Sequence, residues 1–189
     1  VLIVKPSSLG DIVHSLPTAT ALSRCGMEVH FAARREYREI LNLCPAVRRI
    51  LDFPGRIAET LPFLKDLRRL EYDAVIDLQG LLRSALATAC ARTSRRIGLP
   101  DSREGAIFFY HETAVYPPGI QHAVDRYLSV LNTISGISPL GAPDSPPDFG
   151  FVLPNDAIAE ADRLCGEAGD QLFSPLARHA KKMWVDNRW

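Results

Sequence analysis

With 189 residues, 47% of them hydrophobic and 23% charged, and with 22 basic side chains against 22 acidic ones, the chain has an ordinary globular composition and no net charge. The length suits one domain and a remainder around a sizeable core, and the balanced charge gives nucleic-acid binding no overall support. No stretch approaches the roughly 18 apolar residues of a membrane helix, and the apolar run that opens the chain ends at Lys5, so neither a membrane span nor a signal peptide is expected.

Val1 to Val4 is a short apolar run suited to a buried strand. Asp11 to Arg24 has a helical pattern, and Pro17 inside it predicts a kink or a late start. Glu28 to Ala33 reads as a second strand, Glu36 to Leu43 as a short helix closed by Pro45, and Val47 to Phe53 as a third strand. Ile57 to Leu70 carries a helical stripe of Ile57, Leu61, Leu64 and Leu67. Tyr72 to Leu78 is a fourth strand, and Leu81 to Ala91 is a small-residue helix able to pack closely on a sheet. Arg95 to Leu99 is a fifth strand, and Gln121 to Gly136 is a long helix ending at glycine.

Strands that alternate with helices of this length imply right-handed βαβ crossovers, hence an α/β fold with a Rossmann-like, doubly wound parallel sheet. Four prolines crowd Ser138 to Pro147, a linker signature. The expected organisation is a Rossmann-like domain over 1–137, a Pro-rich linker over 138–150, and the beginning of a second domain over 151–189. In that second part Phe151 to Leu153 and Leu172 to Leu176 read as strands and Asn155 to Ala168 as a helix. The chain enters a strand at Val1 and stops at Trp189 soon after a new motif begins, so we expect a piece of a longer protein.

Cys25, Cys44, Cys90 and Cys165 lie far apart, form no CxxC pair, and read as buried small hydrophobes in a reducing, cytoplasmic compartment. No His, Asp or Glu cluster has metal-ligand spacing, and His14 reads as a packed or helix-face histidine. The basic pairs Arg34-Arg35, Arg48-Arg49, Arg68-Arg69 and Arg95-Arg96 are mostly solvated faces, of which one or two can meet an anionic ligand.

The loop Lys5-Pro-Ser-Ser-Leu-Gly-Asp11 follows a strand and opens a helix, the place where open α/β sheets bind ligands. It is neither GxGxxG nor GxxxxGK[ST], so a nicotinamide site has little support and a P-loop is excluded. Ser7 and Ser8 supply small hydroxyls, and Gly10 fits tight backbone geometry. Asp11 fits a helix N-cap as well as a general base at the mouth of the sheet. Lys5 either faces the cleft or simply ends the strand. Asp77, Gln79 and Gly80 end the fourth strand; Gln79 can hydrogen-bond a sugar hydroxyl, and Asp77 can do the same or cap the next helix.

Val4-Lys-Pro-Ser-Ser-Leu-Gly-Asp-Ile-Val-His-Ser-Leu-Pro17 resembles the N-terminal signature of glycosyltransferase family 9, the bacterial lipopolysaccharide heptosyltransferases. Tyr72-Asp-Ala-Val-Ile-Asp-Leu-Gln-Gly80 resembles that family's fourth-strand motif. Arg96-Ile-Gly-Leu-Pro-Asp-Ser-Arg103 and Gln121-His-Ala-Val-Asp-Arg126-Tyr resemble its heptosyltransferase I branch, and Lys181-Lys-Met-Trp184 resembles the segment that opens the family's second domain. Several spaced motifs in one order are far more specific than any of them alone.

The resemblance implies a GT-B architecture of two Rossmann-like domains facing across a cleft, of which this chain carries the acceptor-binding N-terminal half and the start of the second. It implies inverting, metal-independent transfer of heptose from ADP-heptose to Kdo-lipid A, with no cofactor. Asp11 matches the family's base. Ser7, Ser8, Gly10, Gln79, Arg103, His122 and Arg126 match the acceptor site, where arginine suits carboxylates and phosphates. His122 and Arg126 are expected on one helix face, although the same spacing fits an exposed polar face. Lys182 matches the lysine that meets the leaving diphosphate, and Arg56 lies where the family has further acceptor-binding arginines. A lipid acceptor implies peripheral contact with the cytoplasmic face of the inner membrane. Two readings compete: a transferase of the same family using another nucleotide sugar, and a non-catalytic acceptor-binding module. A Rossmann oxidoreductase ranks last, because its glycine fingerprint is missing.

Overall fold

Leu2, Ile3 and Val4 form strand β1 (Leu2–Val4) and are covered on both sides, which is why this strand reads as an unbroken apolar run. This computed structural model describes residues 1–120, 122–134 and 146–165. After β1 come helix α1 (Leu9–Arg24), strand β2 (Val29–Ala33), helix α2 (Arg38–Asn42), strand β3 (Val47–Asp52), helix α3 (Thr60–Leu67), strands β4 (Glu71–Tyr72) and β5 (Val75–Asp77), and helix α4 (Leu82–Cys90). Strands β6 (Arg92–Thr93), β7 (Arg96–Gly98) and β8 (Glu112–Thr113) follow, then helices α5 (Ala123–Leu128) and α6 (Asn155–Cys165).

Six strands form one sheet in the order β3-β2-β1-β5-β7-β8, every pair parallel. Counted along the chain this is the Rossmann order, in which building reverses direction beside the first strand. The reversal opens a crevice at the carboxyl ends of β1 and β5. Right-handed crossovers place α1 and α2 on one face and α3 and α4 on the other. Two apolar clusters fill those faces. One joins Ile3, Ile12, Leu16, Phe31 and Ile76 to α5 through Val124, Tyr127 and Leu128. The other joins Leu2, Val4, Leu51 and Val75 to Phe63 and Leu67 of α3. Truncating one of the fully buried residues, such as Ile3, to alanine costs roughly 2–5 kcal/mol.

Several expected elements differ. Helix α1 starts at Leu9 and continues through buried Pro17, which leaves the Val13 carbonyl without its helical donor. The helix expected from Ile57 opens as a 3₁₀ turn over Ile57–Glu59 before α3; of its stripe, Leu67 is buried and Leu64 half-buried, whereas Ile57 is 94% exposed and Leu61 also faces outward, and Phe63 takes the core position instead. The predicted fourth strand divides: β4 pairs with β6 in a separate two-stranded sheet, and only β5 enters the main one. β8 extends the sheet beyond the predicted fifth strand. The long helix expected over 121–136 is a single α-helical stretch, α5, continued by a 3₁₀ segment over Ser129–Thr133. The close packing foreseen for α4 is present, with Ser84, Ala85, Ala87 and Thr88 buried against the sheet.

The chain divides into two compact units, Val1–Val152 and Leu153–Trp189. Residues 146–152 therefore go with the first unit, beyond the boundary drawn from the prolines. Phe149 and Phe151 pack against its core, and the Val152 amide donates to the Leu43 carbonyl at 2.7 Å. Phe151 to Leu153 form no strand. Two half-buried aromatic side chains tie this segment to the first unit despite its linker composition. The second unit's described residues form α6, where Arg163 forks onto Glu160. Leu172 to Leu176 and Lys182 lie outside the described residues. Cys44 is buried as expected, but Cys25 is exposed at the end of α1; the side chain of Cys165 falls outside the description. Among the described residues no helix is long and apolar enough to cross a membrane.

Candidate active site

The crevice between β1 and β5 is walled by the two loops that leave those strands. Ser8 precedes α1, and Asp11 sits in the helix's first turn. The Asp11 carboxylate reaches back, its Oδ2 accepting from the Ser8 amide at 3.1 Å and the Ser8 hydroxyl at 2.9 Å. Ser8, rather than Asp11, is thus the N-cap of α1; Asp11 stands at the N3 position, closes the capping box from there, and remains half-exposed. Burial pushes its carboxyl up, but the hydrogen bonds from Ser8 and the charge of Lys5 outweigh that and hold it below the ordinary carboxylate value.

Lys5 faces inward rather than merely ending the strand. It is 3% exposed, with its Nζ 5.1 Å from the centre of the Tyr127 ring. Burial lowers its pKa, against the opposing pull of Asp11 and Asp77. Tyr127 is pushed up by burial and then by the Asp11 charge. Lys5, Asp11 and Tyr127 thus form one electrostatic unit, which the packing of α5 against α1 assembles.

Across the crevice Asp77 is fully buried. Its Oδ1 accepts from the amides of Gln79 (2.8 Å) and Gly80 (3.1 Å), and its Oδ2 accepts from the Tyr110 hydroxyl (2.8 Å). Burial raises its pKa although those hydrogen bonds, with one from Ser84, oppose the shift. Asp77 does not cap the next helix, whose N-cap is Leu81, but holds its own loop through the Gln79 and Gly80 amides. Gly80 has φ +65°, and a Cβ there would meet Ser102 Oγ at 2.7 Å, so the loop requires glycine. Gln79 joins the two loops, its Oε1 accepting from the Ser7 amide at 3.4 Å, which leaves its amide nitrogen for a ligand.

Gly10 departs from expectation. Its φ is not positive, and a Cβ would meet nothing within 4 Å, so tight geometry does not require it. It leaves the helix start open to an approaching group. The Ser7 and Ser8 amides are engaged, so the donors left for an anion are those of the first turn of α1.

His122 and Arg126 do not form the simple helix face expected. His122 is the N-cap of α5, its Nδ1 accepting from the Val124 amide at 3.3 Å, and its ring lies 5.4 Å from that of His14. His14 is thus packed between α1 and α5, its Nδ1 buried without a partner. Arg126 donates to Asp101 at 2.8 Å, and Asp101 also accepts from Tyr116 at 2.6 Å. One edge of the guanidinium is held, and its buried Nε has no partner. Arg103 is exposed; its backbone amide donates to the Gly80 carbonyl at 2.8 Å, which fixes its loop against the β5 loop. Sequence reasoning missed Tyr127, Asp101, Tyr110 and Tyr116. No sequence motif singles these residues out, and only the fold reveals that the tyrosine hydroxyls or rings meet charge.

Farther along the same edge, the loops after β2 and β3 enclose a cleft of about 780 Å³ lined by Arg34, Arg35, Arg38 and Arg56. Arg38 is paired with Asp52, Arg56 is exposed with its charge acting on Glu59, and Arg35 is exposed with no ion-pair partner among the described residues. This cleft adjoins the β1 loop, the Arg34 amide donating to the Pro6 carbonyl at 3.2 Å, but it contains none of the crevice's carboxylates. The crevice brings together a half-exposed carboxylate, Asp11, and a buried cation, Lys5, whereas the cleft is lined by arginines of the loops after β2 and β3.

The family model described as glycosyltransferase family 9 (heptosyltransferase) matches residues 60–189. Lipopolysaccharide heptosyltransferase 1 of Pseudomonas aeruginosa is 33% identical over 177 residues, covering 86% of this chain and 48% of that protein. Its namesake in Escherichia coli K12 is 30% identical, over 100% of this chain and 62% of the relative. The solved structure of E. coli heptosyltransferase WaaC with ADP superimposes at a TM-score of 0.69 and 30% identity, over 79% of this chain and 50% of that one. That of E. coli ADP-heptose lps heptosyltransferase II, at 22% identity and a TM-score of 0.66, shares the fold. The chain spans roughly half to three-fifths of the length of the relatives it matches.

Proposed function

The chain belongs to glycosyltransferase family 9, and from that premise we propose that it is the acceptor-binding half of an inverting heptosyltransferase, moving heptose from ADP-heptose to Kdo-lipid A in the making of the lipopolysaccharide core. The observation that carries the reading is Asp11, a half-exposed, hydrogen-bond-depressed carboxylate beside buried Lys5 at the switch point of the sheet. The relatives support the donor: one WaaC structure holds ADP and another ADP-2-deoxy-2-fluoro heptose.

In this reading Asp11 takes the proton of the acceptor hydroxyl as that oxygen attacks the anomeric carbon from the face opposite the leaving diphosphate. The carboxylate is ionised at neutral pH and so free to accept. An acceptor hydroxyl that displaces water from the crevice raises its basicity by the same desolvation that already acts on it. Lys5 holds Asp11 charged before reaction and offsets negative charge on the acceptor afterwards. Ser7, Ser8, Gly10 and Gln79 shape the floor. Arg103, His122 and Arg126 receive the acceptor's carboxylates and phosphates, Arg126 from an orientation that Asp101 fixes in advance. Lys182 belongs to the donor side, meeting the diphosphate as it leaves. The transferase works in the cytoplasm, in peripheral contact with the inner membrane that carries its acceptor.

The test is a transfer assay on this chain and on the complete coding sequence, with ADP-heptose and a Kdo-lipid A acceptor, following ADP release and product mass. Product from the complete protein supports the reading, and its absence from the 189-residue chain alone supports the half-enzyme assignment. Folded protein that binds the acceptor and yields no product in either form favours a non-catalytic acceptor-binding module. Product with a different nucleotide sugar only moves the assignment to another transferase of the family.

A further inference from the structure

Tyr127 stands on α5, far along the chain from Asp11, and only the packing of α5 against α1 brings the two together. The helices share one apolar cluster, to which α1 gives Ile12 and Leu16 and α5 gives Val124 and Leu128. One turn beyond Asp11, the His14 ring lies 5.4 Å from that of His122, the N-cap of α5. Tyr127 itself is 5% exposed. A phenol buried to this degree needs a partner for its hydroxyl, and here the partner is the Asp11 carboxylate. Its ring takes the Lys5 ammonium, whose Nζ lies 5.1 Å from the centroid. One side chain thus touches both the candidate base and the cation beside it.

The two sets of donors on Asp11 differ in kind. Those of Ser8 come from the same helical turn and form in any helix with this capping box. The hydroxyl of Tyr127 comes from another element, so it fixes the carboxylate relative to the rest of the site. A carboxylate held through one oxygen by its own turn keeps rotational freedom, and a second donor on a packed helix removes it. Tyr127 can only donate. Burial raises the pKa of the phenol and the charge of Asp11 raises it further, so the proton stays on the oxygen at neutral pH. The other charged or titratable groups about the pair are Lys5 at the end of β1, His14 on α1, and Arg126 with Asp101 beside Tyr127.

We propose that Tyr127 is a positioning residue of the transfer reaction, its hydroxyl holding the Asp11 carboxylate in the orientation that receives the acceptor's proton while its ring keeps Lys5 beside the base. The proposal rests on the reading of Asp11 as that base. As the acceptor oxygen bonds to the anomeric carbon, its O–H bond breaks and the proton passes to Asp11. The anomeric C–O bond to the diphosphate breaks in the same step, and the electron pair leaves with the diphosphate. Tyr127 keeps its own proton throughout. Arg126 precedes Tyr127 on α5, so the group assigned to the acceptor's charge and the group that orients the base sit next to each other on one helix. Kinetics should separate the two: loss of the hydroxyl acts on turnover, and loss of the guanidinium acts on acceptor affinity.

The experiment is Tyr127→Phe, which keeps the ring and the packing and removes one oxygen. In the complete protein, with ADP-heptose and Kdo-lipid A, kcat should fall roughly tenfold while the acceptor KM stays unchanged. The acid limb of the kcat profile should move up by about one pH unit, because the ionised carboxylate has lost a donor. In the 189-residue chain, carbon-13 carboxyl titration should show the same upward displacement for Asp11, whose signal is identified by its disappearance in Asp11→Asn. Tyr110→Phe makes the same chemical change at the tyrosine on Asp77 and should leave the kcat profile and the Asp11 titration at wild type. An unmoved Asp11 titration, a wild-type kcat, or an identical effect from Tyr110→Phe overturns the proposal. Wild-type protein that yields no product, or Asp11→Asn that turns over normally, condemns the reading of the reaction instead, and the carboxyl titration then decides alone whether Tyr127 holds Asp11.

Discussion

The loops that follow β1 and β5 face each other across one crevice, each placing a carboxylate at the end of a buried strand, yet they do opposite work. Asp77 has both oxygens filled by donors of its own chain and lies out of contact with solvent. Asp11 has its Oδ2 engaged by Ser8, has the Tyr127 hydroxyl as a further hydrogen-bonding neighbour, and stays half-exposed. Burial raises the first carboxyl, and hydrogen bonds from Ser8, with the charge of Lys5, lower the second. A carboxylate at the edge of a parallel sheet is thus not a site by virtue of position. What distinguishes the two is whether the fold has already satisfied it.

The sharpest way to break the comparison is Asp11→Asn. In the complete enzyme it should lower kcat by roughly 10²–10⁴-fold, the usual contribution of a general base, while stability at neutral pH falls only by about 1 kcal/mol for the weakened helix start. Normal turnover would remove Asp11 from the chemistry. Asp77→Ala should do the reverse. It orphans two backbone amides and the Tyr110 hydroxyl in a buried place, at a cost of roughly 3 kcal/mol by denaturant unfolding, and acceptor affinity should follow stability rather than lead it. An Asp77→Ala chain of wild-type stability would contradict the structural role.

Smaller changes sharpen the same contrast. Arg126→Ala should weaken acceptor binding by roughly tenfold, because a charge-assisted contact is lost, and leave donor affinity unaltered; titration calorimetry with each ligand decides it. Tyr110→Phe, which removes one donor from Asp77 and keeps the ring over Gly98, should cost about 1–2 kcal/mol in thermal unfolding with kcat unchanged. The smallest effect is a pH dependence. The Asp11 carboxyl is held below its ordinary 3.8, so the unfolded chain takes up that proton at a higher pH than the folded one. Its stabilisation is complete above pH 3.8 and lost as pH falls through the depressed folded value. The stability gap between wild type and Asp11→Asn should therefore close in that acid window. A gap that widens there would reverse the sign assigned to Asp11. Asp77, with its raised pKa, works in the other direction, its folded form taking the proton first.

Much of the frame was legible because short-range patterns dictate it. The all-apolar β1, the small-residue face of α4 and the strand–loop–helix around Asp11 each follow from residues close in sequence. What misled was equally local. Ile57 and Leu61 have the spacing of a core stripe, yet the chain buries Phe63 and turns them outward. Residues 146–150 closed the expected linker, yet the contacts group them with the first unit and Phe149 packs half-buried against its core; 138–145 lie outside the described residues. The spacing of His122 and Arg126 suggested a shared face, but α5 begins only after His122, which becomes its cap.

The sequence by itself determined the alternation of strands and helices, the identity of the strand-end loops and, through its spaced motifs, the family. Those properties depend on backbone propensity, on side-chain period and on the order of residues, all of which are written along the chain. Only the tertiary structure decided which charged groups share a site. Lys5 meets Tyr127 across 122 positions, and Asp77 meets Tyr110 across 33. Desolvation, which raises one carboxyl and lowers the lysine, exists only once those distant segments exclude water together.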